Sequence, residues 1–145
     1  MAMNGYSQHA ATETMKYLFR ITATQPGANW YCGLTTSPFN PDGTSVVEPL
    51  GGAYQRKACL SSAFEAGPTS IGYKTSIKND EEIRFIESTE SWGQIVAFFM
   101  ADSPTEVLDN IWFGGLLDTP KTIEAQTVAV FSPTDMVIAT VNEGI

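Results

Sequence analysis

The spacing of apolar and polar positions divides the chain into a short helical stretch and a long strand-rich one. Residues 1–11 are small and polar and read as a flexible arm. From Thr12 the spacing is helical. Thr12 is an N-cap candidate, Glu13 follows at the positive end of the helix dipole, and Met15, Leu18 and Phe19 recur at helical intervals until Pro26 and Gly27 close the segment. Beyond Gly27 the period shortens to two. "NWYCGLTT" (29–36) is rich in aromatic and β-preferring residues and ends at the loop "SPFNPDG". "GGAYQRKACLS" (51–61) alternates about Tyr54, Arg56, Ala58 and Leu60, and "EEIRFIES" (81–88) sets Ile83 and Phe85 against Glu82 and Arg84, so both read as strands with one wet face.

"GQIVAFFMAD" (93–102) is almost wholly apolar and reads as a central strand covered on both faces. "IWFGGLL" (111–117) is a further strand. "DTPKTIEA" reads as a turn because Pro120 cannot donate to a ladder, and "QTVAVFS" and "MVIATVN" close the chain on either side of "PTD". Short strands at intervals of about 8–12 residues, punctuated by Gly, Pro and Asp, predict an all-β fold. The expected architecture is an antiparallel β-sandwich of about seven to eight strands, one domain over residues 12–145 with an N-terminal helix and the arm 1–11.

Composition narrows the function. A chain with 43% hydrophobic and 17% charged residues is ordinary globular material. Its net charge of −8 lacks the basic footprint of a duplex-binding protein, so nucleic acid is not an expected partner. The charge is unevenly spread: residues 1–79 hold four acids and six bases, and residues 80–145 hold twelve acids and two bases, Arg84 and Lys121. That asymmetry would let copies meet head to tail, or would seat a basic face on an acidic partner; solvated acidic turns are the plainer account. No stretch reaches the ~20 apolar residues of a membrane helix, and "MAMNGYSQHA" lacks the apolar run of a secretory signal, so the reading is a product neither membrane-bound nor exported by the usual route.

Candidate chemistry is sparse. His9 is the sole histidine and falls in the predicted arm, which argues against a Ser-His-acid or Cys-His site. With only Cys32 and Cys59 beside it, a metal site is not expected, and no nucleotide-binding or zinc-hydrolase motif occurs. The two cysteines are either a disulfide between adjacent strands or, the favoured reading, buried free thiols. Glu87 and Glu90 beside Trp92, in "ESTESWG", have the composition of a glycosidase carboxylate pair, but a short polar stretch joining two strands more often forms a hydrated corner. Trp30, Tyr31, Tyr54, Trp92 and Trp112 are aromatic candidates for sugar or peptide binding whose plainer role is core, and Tyr73 is the one expected at the surface. Lys16, Arg20, Arg56 and Lys57, with Tyr73, form the expected partner-facing set.

The order of these segments resembles a family of small tailed-bacteriophage virion proteins of the tail-fibre-like or capsid-decoration type. The resemblance rests on the N-terminal helix, "WYCGLTTSPFNPDG", the pattern Gly51, Gly52, Tyr54, Arg56, the "IRF" strand, Trp92–Gly93 opening a long apolar strand, and "WFGGLLDTPKTI". It covers roughly residues 12–142 and departs from the family at "GPTSIGYKTS" and in the acidic second half. It implies a non-enzymatic structural protein of the particle, either a capsid decoration protein or a head or tail fibre component. Implied with it are other virion proteins (the major capsid or tail protein) as partners, homo-oligomers such as a trimer, no cofactor, and assembly into virions in the host cytoplasm. A host-glycan binding module is the alternative, with a glycoside hydrolase further behind.

Overall fold

The computed structural model describes residues 5–27, 29–66 and 74–141. The elements run β1 (Gly5–Tyr6), α1 (Gln8–Leu18), β2 (Trp30–Thr35), β3 (Lys57–Cys59), β4 (Phe64–Ala66), β5 (Lys74–Asn79), β6 (Ile83–Arg84), β7 (Gly93–Ala101), β8 (Ile111–Ile123), β9 (Val130–Phe131) and β10 (Val137–Val141). Strand pairing is antiparallel throughout. It builds a five-stranded sheet in the order β1-β8-β7-β2-β3, a three-stranded sheet β10-β5-β4 and a two-stranded sheet β6-β9. This is an all-β fold with one short helix, as the sequence pattern predicts.

β7, the apolar run, is the middle strand of the larger sheet and is covered on both sides. On one face Ile95, Phe98 and Met100 pack with Leu34 of β2, Ile83, Phe85 and Trp92, and with Phe131 of β9. On the other, Ala97, Phe99 and Ala101 pack with Ile111 and with Phe39, Val46 and Val107 from the loops. Each large apolar side chain fully buried in this way contributes roughly 1.5–3 kcal/mol. Strict alternation would put Ile95 on the same face as Phe99. It does not, because the ladder slips: Ile95 pairs with Lys121 but Ala97 pairs with Leu116, so Val96 alone spans residues 117–120 of β8. The bulge flips the face of everything before it. It also explains Pro120, which was expected in a turn. Pro120 lies inside β8, in the four residues with no partner on β7, where its missing N–H breaks no ladder bond.

Gly33 stands directly opposite Phe99 in the ladder, and a Cβ there would lie 2.1 Å from the Phe99 ring. The ring lies across the glycine, so any larger residue would displace the most enclosed aromatic of the sheet. A second internal device is Asn79, which is fully buried. Its Nδ2 donates to the carbonyls of Glu81 and Ser132, and its Oδ1 accepts from Met136 N–H, so one amide ties β5 to the turn before β10.

Several boundaries differ from the sequence reading. Residues 5–11, read as a flexible arm, are strand and helix: Gly5 and Tyr6 pair with Gly114 and Phe113 of β8, and α1 starts at Gln8. Ser7 is the N-cap in place of Thr12; its Oγ accepts from Ala10 N–H at 2.9 Å while its own N–H donates to Trp112 O. Both residues have capping chemistry, and pairing of β1 decides between them. The expected strand 51–61 is strand only at Lys57–Cys59, and β4 and β5 were not anticipated. Among the described residues no helix is long and apolar enough to cross a membrane.

Cys32 and Cys59 are free and buried, on the paired strands β2 and β3. Burial pushes both thiols above their ordinary range, so both stay protonated at neutral pH. A thiol-reactive chromogen should therefore label neither in the native protein and both after unfolding; rapid native labelling would contradict this packing.

Candidate functional site

α1 is attached firmly at its start and open at its end. Besides the Ser7 cap, Gln8 N–H donates to Pro41 O at 2.7 Å, and the His9 ring packs edge-on against Trp112 at 4.7 Å between centroids. Ala10 and Glu13 make the inner face. Glu13 takes one hydrogen bond from Thr24 N–H and a second from Lys16 Nζ at 3.0 Å, which folds the returning chain back along the helix. The helix ends on Arg20 at φ 57°: Ile21 N–H donates to Lys16 O and Arg20 N–H to Tyr17 O, the paired bonds of a left-handed C-terminal turn.

The Thr24 amide first, and Lys16 second, hold the Glu13 carboxyl below its ordinary value of 4.5. A carboxyl depressed in the fold stabilises it above the unfolded pKa, and that contribution is lost as pH falls through the lower folded value. The amide signal of Thr24 in an NMR titration should thus move with a midpoint below 4.5; a midpoint at or above 4.5 would remove Glu13 from this role.

The outer face carries the apolar stripe seen in the sequence, but the stripe meets solvent. Met15 is 54% exposed, Leu18 66%, Phe19 70% and Ile21 60%. Ala11, Thr12, Met15, Lys16, Phe19 and Ile21 border a shallow depression on this face. Lys16 and Arg20 stand among these side chains, and residues 14–27 contain no acid. At the base of α1 the electrostatics reverse: His9, Glu13, Asp42, Asp102 and Asp109 border a polar cleft of about 600 Å³.

The structure brings together only part of the expected partner-facing set. Lys16 and Arg20 share the end of α1. Lys57 is exposed on β3, a separate element, and Tyr73 lies outside the described residues. Arg56, expected with them, is instead internal, 7% exposed. Its Nε and Nη2 make a two-pronged pair with Glu48 at 2.9 Å each. Nη1 donates to the carbonyls of Ser103 and Glu106 at 2.7 Å, Nη2 also to Thr105 O, and the guanidinium lies over the Phe99 ring. Arg56 therefore closes loop 103–106 onto the sheet.

The rest of its motif is equally structural. Gly52, at φ 60°, accepts Trp92 Nε1–H at 2.8 Å, and a Cβ there would lie 2.9 Å from the Trp92 ring. Tyr54 Oη donates to Glu48 and accepts from Leu34 N–H, and burial, then the Glu48 charge, pushes its pKa far up.

Glu87 and Glu90 are exposed. The residue that organises their corner is one that was not singled out: Ser88, 1% exposed, whose Oγ donates to Glu124 O and accepts from Thr127 N–H. Trp92 and Trp112 are buried and Trp30 and Tyr31 half-buried. Among the described residues no group of three or more His, Cys, Asp or Glu side chains is placed to hold a metal ion.

A family model described as "Podophage GP4 fiber I protein gp80" matches residues 5–139, which takes in every element from β1 to β9 and part of β10. No curated protein matches the chain.

Proposed function

The chain belongs to the podophage GP4 fiber I protein gp80 family, a family of phage fibre structural proteins, and on that premise we propose that it is a non-enzymatic fibre subunit attached to the particle through α1. The observation that carries the attachment reading is the solvent-facing row of Met15, Leu18, Phe19 and Ile21 on a helix whose start is pinned to β8. A rigid anchor with an apolar outer face has its ordering cost already met by the fold, so most of the burial energy goes into binding. Lys16 and Arg20 add orientation and on-rate toward an acidic partner surface. The chemistry of a fibre subunit is interface burial, and neither Glu87 nor Glu90 is given any further role.

Fibre membership is favoured over capsid decoration, and the partners are other virion proteins and further copies of the chain. Antibody-gold labelling of purified particles tests this. The expected outcome is label on the fibres at a fixed number of copies per particle; label spread over the capsid lattice, or protein absent from washed particles, would overturn it.

A further inference from the structure

The α1 face has a candidate counterpart on the same molecule. Residues 117–120 of β8 have no partner on β7, and Leu117, Asp118 and Thr119 among them border a groove of about 580 Å³. Its apolar lining is supplied by the half-buried Leu117, Ala129 and Phe131, with the core residues Leu34 and Ile95 beneath them. Asp118 and Asp135 stand at its lip and are exposed. Lys121 is the basic residue among those lining it. We propose that this groove receives the α1 face of a second copy of the chain, an inference that rests on α1 being the attachment face and names its partner.

Three observations support it. The donor surface is apolar with Arg20 as its unpaired cation among the described residues, Lys16 being bonded to Glu13, while the groove is lined by Asp118 and Asp135 against Lys121. A short helix laying Met15, Leu18 and Phe19 into an apolar trough with carboxylates at its lip is a recurring mode of recognition. The polar cleft at the base of α1 is acidic too, but it belongs to the same helix as the patch and offers its apolar side chains no apolar cover. Patch and groove are different surfaces, so the contact is head to tail; it closes into a ring or propagates along a fibre according to the rotation between copies.

Charge reversal with cross-rescue tests the pairing. Arg20→Glu gives one variant and Asp118→Lys gives the other, both at exposed positions; Lys16, which bonds Glu13, and Asp135, which accepts from Ser132 N–H, are left in place. The wild type should self-associate in sedimentation velocity at tens of micromolar, each variant alone should do so at least about tenfold more weakly, and an equimolar mixture of the two should regain the wild-type behaviour. A wild type that stays monomeric, reversals without effect, or a mixture that does not recover would each overturn the proposal. A monomer that still joins particles through α1 would overturn the copy-to-copy contact and leave the fibre reading intact.

Discussion

Arg56→Ala lowers the stability of the fold by about 3–5 kcal/mol, the cost of breaking a buried, hydrogen-bonded ion pair. The side chain is 1% exposed, its two prongs satisfy both Glu48 oxygens, and its remaining donors satisfy three carbonyls of loop 103–106. Truncation leaves Glu48 without its cation beside a buried Tyr54 hydroxyl and frees the loop whose Val107 covers Phe99. Domains of this size have only about 5–15 kcal/mol in hand, so the melting temperature should fall by roughly 10 °C or more. Arg56→Lys should recover little of this, since one ammonium cannot make the fork and reach three carbonyls. Equilibrium denaturation measures it; a loss below about 1 kcal/mol would mean that the clamp is not the closure described.

The second large effect falls on attachment and leaves the fold untouched. Leu18→Asp with Phe19→Asp changes two side chains that are 66% and 70% exposed, so stability should move by no more than about 0.5 kcal/mol. Binding to particles that lack the protein should weaken at least about a hundredfold, or roughly 2.8 kcal/mol, because anchoring apolar residues at the centre of an interface carry most of its energy and a buried unpaired carboxylate opposes it. The two variants thus separate surfaces that the sequence reading groups together: the first tests the role of Arg56 in folding, the second the proposed role of α1 in assembly. Unchanged particle binding by a folded double variant would remove α1 from the attachment site.

What could be read from sequence followed from how local each signal was. β2 and β7 were legible because aromatic, β-branched and continuous apolar runs reflect burial directly. The alternation in "EEIRFIES" correctly separated buried Ile83 and Phe85 from exposed Glu82 and Arg84, even though only two of those residues form ladder bonds. Arg56 was misplaced for the same kind of reason. In an alternating segment a lone arginine reads as a wet face, and its partners, Glu48 and the carbonyls of residues 103, 105 and 106, are set by the fold and not by spacing.

The helix illustrates the converse limit. The period of Met15, Leu18 and Phe19 gives a stripe correctly but not what the stripe faces, and here Ala10 and Glu13 take the inner side. The ladder slip at Val96 had a trace in sequence, Pro120 beside an apolar run, but a turn explains a proline as well as a bulge does.

Methionine oxidation tests the central claim most directly, with controls inside the chain. In the free protein Met15 is 54% exposed, whereas Met100 and Met136 are 2% and 1% exposed. Brief peroxide treatment followed by peptide mass spectrometry should convert Met15 to the sulfoxide well before Met100 or Met136. With α1 as the attachment face, the same treatment of assembled particles should leave Met15 as protected as the two buried residues. Met15 oxidising as fast in the particle as in the free chain would contradict attachment through this helix.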